Sequence, residues 1–371
     1  MRFTTSSGEL QKVLSTIGGV IPSKSTLPII ENFLFEVTKD QLKISATDLD
    51  TSMVMTMKVK GSADGKIAIP AKRLTETIRS LPNTEVVVTA NADDKKISIS
   101  TANGEYKLTG ESSDNYPTIP AFKGNSQLTL PDDVLARLIQ KTSFAVSSDE
   151  LRPAMMGILF QIKKNEIRAV ATDGHRLVRM VTTGITATTG EKDIIIPAKA
   201  LNLVSKSLAG GESVIAFSDT HAMFTQSGVT LISRIIEEKY PNYESVIPLD
   251  NEKTLTIDKN ELLASVRRTA LYASSTTHQV RFTLKKNSVV ISAEDIDFGS
   301  EAKETIKADY TAEPMEIGFN SAYVIDILSH IESNEIMMLF SSATRASIIK
   351  PVTQKNGENV LMLVMPVRLN T

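Results

Sequence analysis

The amino-acid sequence predicts an α+β protein made of three repeated domains, each with two helices and antiparallel sheets. The first observation is a strand pattern that alternates apolar with polar residues and ends in an acidic turn. It occurs at 41–50, 166–175 and 288–297. Period-two alternation of this kind is typical of a strand with one buried face. One strand earlier, each copy carries an aromatic residue at an equivalent place, Phe35, Phe160 and Phe282.

The second observation is that helical patterns recur in the same register. A strand leading into a helix is found at 66–81, at 193–208 and, more loosely, at 315–331. An amphipathic helix with a polar or acidic start opens each unit, at 6–18, 131–144 and 258–271. The remaining strands are short and bounded by tight turns, which favours antiparallel pairing over a parallel βαβ arrangement.

The third observation is the repeat length. Units of about 120 residues are the size of a domain and far longer than a solenoid repeat. Segments rich in Pro, Gly, Ser and Asn lie at 115–130 and 240–257, and such segments are typical of linkers. We therefore predict an N-terminal domain over 1–124, a central domain over 125–251 and a C-terminal domain over 252–371.

Composition argues against several classes of site. The chain has no cysteine, which excludes a thiol nucleophile and thiolate metal ligands, and its four histidines lie far apart without a metal-ligand spacing. We expect no metal and no cofactor. No apolar stretch approaches the roughly 20 residues that a membrane helix needs, so we expect a cytoplasmic protein without a membrane partner.

Charge is unevenly distributed along the chain. The six predicted helix cores carry ten Lys or Arg and six Asp or Glu, while the whole chain has a formal net charge of −2. On the second helix of the first unit, Lys72 and Arg79 are seven residues apart, and Lys199 and Lys206 repeat that spacing in the second unit. Seven residues are two helical turns, so each pair shares a face.

Two interpretations of these cations remain open. Basic residues gather near helix C-termini because the helix dipole stabilises them there. A charge-segregated surface also fits a polyanion that contacts only the helices. A protein that held duplex DNA by ion pairing would normally be basic overall. If this one binds DNA, enclosure in a ring is the better means of retention, and no base-reading motif predicts sequence specificity.

With these features in place, the chain resembles the bacterial DNA polymerase III beta subunit family, the replicative sliding clamps. The similarity extends over the whole length. It is clearest at 26–37 (TLPIIENFLFEV), 171–180 (ATDGHRLVRM), 240–248 (YPNYESVIP), 317–328 (IGFNSAYVIDIL) and 364–369 (VMPVRL). The resemblance implies the DNA clamp fold, a head-to-tail homodimer forming a six-domain ring around double-stranded DNA, and no catalysis.

The resemblance also implies partners and site residues. The partners are the replicative polymerase alpha subunit, the clamp loader and other proteins with clamp-binding linear motifs. The DNA-facing residues would be Lys24, Arg73, Arg79, Arg137, Lys141, Lys199, Lys206 and Arg267. Leu108, Leu271 and Tyr272 are the candidates for the dimer contact between the first and third domains.

By the same resemblance, partner peptides would dock in an apolar groove between the second and third domains. The groove residues would be Met155, Thr172, Gly174, His175, Arg176, Leu177, Pro241, Val246, Asn320, Tyr323, Thr344, Ala346, Leu363, Val364, Met365, Pro366, Val367, Arg368 and Leu369. The sequence departs from the family at Ser245, where a basic residue is usual, and at Asn370 and Thr371, which extend past the usual terminal Leu.

Two other functions were weighed. Asp173 and His175 could act as a general acid and base, but the other units carry acidic residues at the matching turn, at Asp48 and Asp295, which favours a turn in which Asp binds local backbone. A protein-binding scaffold that does not encircle DNA would carry the same groove, and its helix cations would then have no role in binding.

Overall fold

A computed structural model describes residues 1–120, 122, 124, 126–185 and 190–369. The six predicted helices are all confirmed, each within two residues of its expected bounds. They are α1 (Ser7–Ile17), α2 (Ala71–Ser80), α3 (Asp132–Thr142), α4 (Ala198–Ser207), α5 (Lys259–Ala270) and α6 (Ser321–Ser329). Short 3-10 turns lie at Pro28–Glu31, Ser113–Asn115, Ser143–Ala145, Pro153–Met156 and Tyr243–Val246.

The strands follow the repeat. The first repeat contains β1 (Arg2–Ser6), β2 (Asn32–Thr38), β3 (Gln41–Thr47), β4 (Thr51–Lys58), β5 (Lys60–Ala63), β6 (Gly65–Pro70), β7 (Glu85–Ala90), β8 (Lys96–Thr101) and β9 (Gly104–Thr109). The second contains β10 (Ser126–Pro131), β11 (Gly157–Lys163), β12 (Glu166–Thr172), β13 (Arg176–Thr183), β14 (Lys192–Pro197), β15 (Glu212–Phe217), β16 (His221–Gln226) and β17 (Val229–Arg234). The third contains β18 (Lys253–Asp258), β19 (Gln279–Lys285), β20 (Ser288–Asp295), β21 (Ser300–Lys307), β22 (Asp309–Tyr310), β23 (Met315–Asn320), β24 (Glu335–Phe340), β25 (Ser347–Pro351) and β26 (Glu358–Val364).

The chain divides into two compact units, and the division does not follow the three repeats. One unit comprises 1–136 and 199–235, and the other comprises 137–198 and 236–371. The reason is visible in the sheets. In the first unit β17 of the second repeat pairs with β4 of the first, and in the second unit β26 of the third repeat pairs with β13 of the second. Strand pairing between repeats therefore builds sheets that two repeats share.

The first unit contains a five-stranded sheet, ordered β5-β1-β7-β8-β9, and an eight-stranded sheet, ordered β10-β15-β16-β17-β4-β3-β2-β6. Helices α1 and α2 pack beside each other. Helix α1 begins where the Ser6 hydroxyl accepts a hydrogen bond from the Glu9 amide at 3.1 Å, and its Leu10 and Leu14 are fully buried. An amphipathic helix capped in this way covers the apolar face of a sheet.

The second unit contains a nine-stranded sheet, ordered β14-β11-β12-β13-β26-β25-β24-β18-β22, and a four-stranded sheet, ordered β21-β20-β19-β23. Asp258 caps α5 by accepting a hydrogen bond from the Glu261 amide at 2.8 Å. Phe282 and Phe319, both fully buried, meet edge to face with ring centroids 5.2 Å apart. All the pairings between the strands of these sheets are antiparallel, as the sequence predicted.

The repeated aromatic residues occupy the same place in each repeat. Phe35 lies opposite Ile44, Phe160 opposite Ala169, and Phe282 opposite Ile291. Each of the three aromatic side chains is buried, with at most 4% of its surface exposed. The repeat detected in the sequence is therefore a repeat of core positions.

Within the first unit, a buried carboxylate joins the start of α3 to the segment after α4. Oδ2 of Asp132 accepts hydrogen bonds from the amides of Ala209, Gly210 and Gly211 at 3.0–3.2 Å, and the Ser213 hydroxyl donates to Oδ1 at 2.6 Å. Burial by itself would raise the pKa of the Asp132 carboxyl, but these hydrogen bonds hold it below its ordinary value. The ionised form is therefore the one that the fold stabilises.

We expect Asp132→Asn to lower the free energy of unfolding by about 3 kcal/mol at pH 7, because the variant loses charge-assisted hydrogen bonds to buried amides. A carboxyl with a depressed folded pKa stabilises the protein above its unfolded pKa, and this stabilisation is lost as pH falls through the folded pKa. Chemical denaturation at pH 7 and near pH 3 measures both effects. The exposed Asp219→Asn is the control, and a pH-independent difference would contradict the assignment.

Candidate nucleic-acid interface and peptide-binding groove

Several of the predicted helix cations are exposed. On α2 these are Lys72, Arg73 and Arg79, and on α4 Lys206 is exposed as well. Within the described residues, no carboxylate forms an ion pair with Arg73, Arg79 or Lys206. The two predicted pairs, Lys72 with Arg79 on α2 and Lys199 with Lys206 on α4, are seven residues apart on their helices, and all four side chains are exposed.

Three further cations are exposed in different surroundings. Lys24 lies in the loop before the first 3-10 turn. Lys199 at the start of α4 forms an ion pair with Asp48, and its side chain remains 56% exposed. Arg267 on α5 donates to the hydroxyl of Ser329 at 3.2 Å. Each keeps a charged group at the surface.

Arg137 and Lys141 do not fit the expectation that they contact DNA. Arg137 donates from Nε and Nη2 to the two oxygens of Glu358, both at 2.7 Å, and from Nη1 to Glu332 at 2.9 Å. Lys141 pairs with Glu332 at 2.8 Å and donates to the carbonyl of His330 at 2.7 Å. These two side chains are only 20% and 10% exposed, so their charges are already neutralised by carboxylates.

The pKa shifts agree with this geometry. The hydrogen bonds that the Arg137 guanidinium donates to the Glu358 carboxylate raise the pKa of Arg137. The Lys141 ammonium, followed by Arg137, lowers the pKa of Glu332. An ion cluster of this kind is structural, since removing Glu358 would leave the largely buried charge of Arg137 without its main partner.

The acidic turn has the same hydrogen-bonding pattern in all three repeats. Oδ1 of Asp173 accepts hydrogen bonds from the amides of His175 and Arg176 at 2.8 and 2.9 Å. Asp48 binds the amides two and three residues later at 3.1 and 2.7 Å, and Asp295 does so at 3.1 and 3.3 Å. The prediction of a shared backbone-binding turn is confirmed. Asp173 therefore has a structural role, and the general acid–base hypothesis loses its support.

Arg176 lies at the base of the predicted groove and is only 9% exposed. Its guanidinium binds the Asp173 carboxylate at 3.0 Å, the Asp326 carboxylate at 2.5 Å and the carbonyl of Phe144 at 2.7 Å. The same group lies 5.4 Å from the Phe144 ring centroid and 4.9 Å from that of Tyr323. All three of its nitrogens are thus occupied inside the protein, so Arg176 holds Asp173, Asp326 and the Phe144 backbone together.

A cluster of buried apolar side chains lies within the second unit. Three predicted groove residues, Leu177, Ala346 and Leu363, belong to it. The other members are Ala154, Leu159, Val170, Ile195 and Tyr243, with Ile236, Tyr240 and Ile247 packed against them. Burial raises the pKa of the Tyr240 phenol, whose hydroxyl donates to the Val170 carbonyl at 3.3 Å. These predicted groove residues are therefore held by side-chain packing.

The C-terminal segment forms one wall. The Met365 amide donates to the His175 carbonyl at 2.8 Å, and the Val367 amide donates to the Gly318 carbonyl at 2.9 Å. Position 318 must be glycine, because a Cβ there would lie 2.8 Å from Cδ2 of Leu369 and 2.9 Å from the Val367 carbonyl. Backbone hydrogen bonds thus attach 365–369 to two other elements.

The rim mixes exposed apolar and polar groups. Val246 is 52% exposed and Met365 is 39% exposed, while the His175 ring stacks on Tyr323 with centroids 5.8 Å apart. The other predicted groove residues are Met155, Thr172 and Val364, which are buried; Asn320, Pro366, Val367 and Leu369, which are half-buried; and Gly174, Pro241, Thr344 and Arg368, which are exposed. An apolar floor with a few oriented polar groups is the usual form of a peptide pocket.

The remaining predicted residues lie in varied surroundings. The Asn320 side chain caps α6 by accepting from the Ala322 amide at 2.9 Å, so its oxygen is occupied. Ser245 is exposed, and its hydroxyl donates to the Asn242 carbonyl at 2.7 Å. Asn370 and Thr371 lie outside the described residues. Of the dimer candidates, Leu271 is 82% and Tyr272 45% exposed, and Leu108 is half-buried on β9.

Sequence reasoning did not identify Phe144 and Asp326. Both accept hydrogen bonds from the Arg176 guanidinium and lie far from it in the chain. No local pattern marks these residues, since their partners are distant in sequence.

Among the described residues, no group of three or more His, Asp or Glu side chains could hold a metal ion. No helix in the described ranges is long and apolar enough to cross a bilayer.

Comparison with known proteins gives a consistent result. Three family models match the chain in order: the DNA polymerase III beta subunit N-terminal domain at 1–120, central domain at 129–242 and C-terminal domain at 244–368. The beta sliding clamps of Pseudomonas putida and Vibrio cholerae are each 28% identical to this chain, and the alignments cover 100% of both chains.

Solved structures agree. The sliding clamp of Pseudomonas aeruginosa bound to griselimycin matches with a TM-score of 0.93 at 26% identity, covering 100% of both chains. The DNA polymerase sliding clamp of Bacillus subtilis matches with a TM-score of 0.92 at 26% identity and the same coverage. Because the family models follow one another across nearly the whole length, the chain belongs to the DNA polymerase III beta subunit family, the non-catalytic beta sliding clamps.

Proposed function

We propose that this protein is the sliding clamp of the replicative DNA polymerase and that it works as a head-to-tail homodimeric ring closed around duplex DNA. One observation supports the ring, namely that strands pair between successive repeats. The first and second repeats are joined by β4–β17 pairing, and the second and third by β13–β26 pairing. The equivalent strands β9 and β21 lie at the edges of their sheets. Two protomers can close a ring by using the same joint twice more.

Retention on DNA is mechanical in this proposal. The chain has a formal net charge of −2, whereas proteins held by phosphate contacts gain affinity in proportion to the cations they present. The proposed lumen residues are Lys24, Arg73, Arg79, Lys199, Lys206 and Arg267. Arg137 and Lys141 are left out because Glu332 and Glu358 neutralise them. A weakly cationic wall allows sliding without sequence preference.

The groove is the proposed docking site for the polymerase alpha subunit, the clamp loader and other proteins that carry clamp-binding linear motifs. The support is the buried apolar cluster around Leu177 and Leu363 and the exposed apolar rim at Val246 and Met365. Leu108, Leu271 and Tyr272 remain the proposed apolar dimer contacts. The domain ranges 1–124, 125–251 and 252–371 and a cytoplasmic location complete the proposal.

A scaffold that binds partners without enclosing DNA is the competing function. It differs in one measurable respect, because only a closed ring is held by the topology of its DNA. We expect protein loaded on nicked circular duplex, by a clamp loader with ATP, to survive a wash in about 1 M salt, where exposed charge contacts are screened within about 3 Å. Linearisation should release it. Equal retention on circular and linear DNA would contradict enclosure.

A second prediction concerns the groove. Val246→Asp should weaken binding of a fluorescent peptide taken from the polymerase alpha subunit's clamp-binding segment by about tenfold or more, since it removes an apolar contact worth over 1 kcal/mol. Fluorescence anisotropy gives the Kd.

The matched control is Val352→Asp. Val352 is an exposed valine in the same unit but outside the predicted groove, with 42% of its surface exposed. It should leave the Kd unchanged. Equal affinity of the wild type and Val246→Asp would remove this surface as the docking site.

A further inference from the structure

The arginine at position 179 lies on the same face of the nine-stranded sheet as the predicted groove. In β13, Leu177 lies opposite Leu363 of β26, and both belong to the buried apolar cluster of the groove. Arg179 is two residues further along β13, and residues two apart on a strand point to the same face. At about 3.3 Å per residue, Arg179 follows Leu177 by about 7 Å along the strand. Arg179 therefore borders the predicted groove.

The strand neighbours of Arg179 on this face are apolar. Val170 of β12 lies directly opposite on one side, and Leu361 of β26 lies directly opposite on the other. Val170 is fully buried, while Leu361 and Arg179 itself are half-buried. The two cross-strand positions closest to the Arg179 side chain thus offer no charge of opposite sign.

The guanidinium of Arg179 has no polar partner within the described parts of the chain. Its Nε atom is buried and makes no hydrogen bond, and none of the ion pairs between described residues involves this side chain. An unsatisfied buried donor is rare in native proteins and indicates strain, a functional role, or a bound water or ion. Leaving it unsatisfied is costly, so a group that accepts from it gains affinity.

Carboxylates in this region bind a different arginine. Arg168 on β12 donates to Glu166 at 2.8 Å and to Glu244 at 2.9 Å. Burial raises the pKa of the Tyr243 phenol, and the positive charges of Arg168 and Arg179 oppose that rise. Arg179 is therefore close to this network, but its own charge is not paired by it.

The same face carries a second cation, Lys350 of β25. Ile348 lies opposite Leu363, and Lys350, two residues later, points to the same face as Ile348. Lys350 is half-buried, and it forms no ion pair with any residue that the structure describes. Ser245 stands where the family usually has a basic residue. The strands beneath supply positive charge that this turn lacks.

We propose that Arg179 binds an acidic side chain of the partner peptide, so that the groove selects peptides with an Asp or Glu beside their apolar anchors. The proposal rests on the proposed docking groove and adds the charge of what it binds. A carboxylate accepts two parallel hydrogen bonds from a guanidinium. A half-buried pair of this kind is screened by salt less than a pair on the open surface.

A double-mutant cycle between protein and peptide measures this contact. The probes are fluorescent peptides from the clamp-binding segment of the polymerase alpha subunit, in which each position outside the apolar anchors is in turn Asp or Asn. At one position we expect Asp to bind wild-type protein about tenfold more tightly than Asn, with Kd read from fluorescence anisotropy. In Arg179→Gln this preference should fall to within about twofold, while the Kd of the Asn peptide stays within about twofold of the wild-type value.

Two further variants complete the design. Arg179→Glu should reverse the preference, so that a peptide with Lys at that position binds more tightly than the one with Asp. The matched control is Arg281→Gln. Arg281 is a half-buried arginine on β19 of the same unit, outside the predicted groove, and its guanidinium donates to Glu316 at 3.1 Å. This control should keep the wild-type preference for Asp.

The denaturation midpoint separates binding from a structural role. Arg179→Gln should unfold at the same denaturant concentration as wild type, because the Arg179 side chain makes no hydrogen bond inside the described protein. A lower midpoint, together with weaker binding of the Asp and Asn peptides alike, would make Arg179 a structural residue and overturn the proposal.

Equal Kd values for the Asp and Asn peptides at every position would also overturn it, as would a preference that survives in Arg179→Gln. In both cases the groove would still stand as the docking site. Failure of every peptide to bind wild-type protein would remove the groove and the role of Arg179 together.

Discussion

Backbone hydrogen bonding between the edge strands of neighbouring repeats is the constraint on which this structure depends. An exposed edge strand presents unpaired backbone N–H and C=O groups that can pair with a strand of another chain. Proteins therefore cover or pair the edges of their sheets. Here β4 and β13 find their partners in the next repeat along the chain. The same requirement leaves β9 and β21 as complementary ends, and a closed assembly of two chains satisfies both.

Charged side chains have different roles in different parts of this molecule. At Arg137 and Lys141 it stabilises the fold, with carboxylates from the last hundred residues of the chain completing a cluster that is mostly hidden from solvent. At Arg73, Arg79 and Lys206 it stays exposed at the surface. The protein as a whole remains slightly acidic, so in the proposed ring those exposed cations would favour contact with DNA without making that contact strong.

The sequence predicted the repeated elements well because periodicity and turn chemistry are local. The six helices, the aromatic core positions and the Asp48, Asp173 and Asp295 turns follow from such patterns. It did not predict the neutralisation of Arg137, because Glu332 and Glu358 are about two hundred residues away in the chain. The enclosure of Arg176 by Phe144 and Asp326 was missed for the same reason, because both residues lie far from Arg176 in the chain.

An electron cryomicroscopy reconstruction of the protein on duplex DNA tests the central claim most directly. The account predicts two protomers around a hole wide enough for the double helix, with Arg73, Arg79 and Lys206 lining it and β9 of each protomer joined to the partner's β21. A reconstruction with no such hole, or with those side chains on the outer surface, would contradict the account.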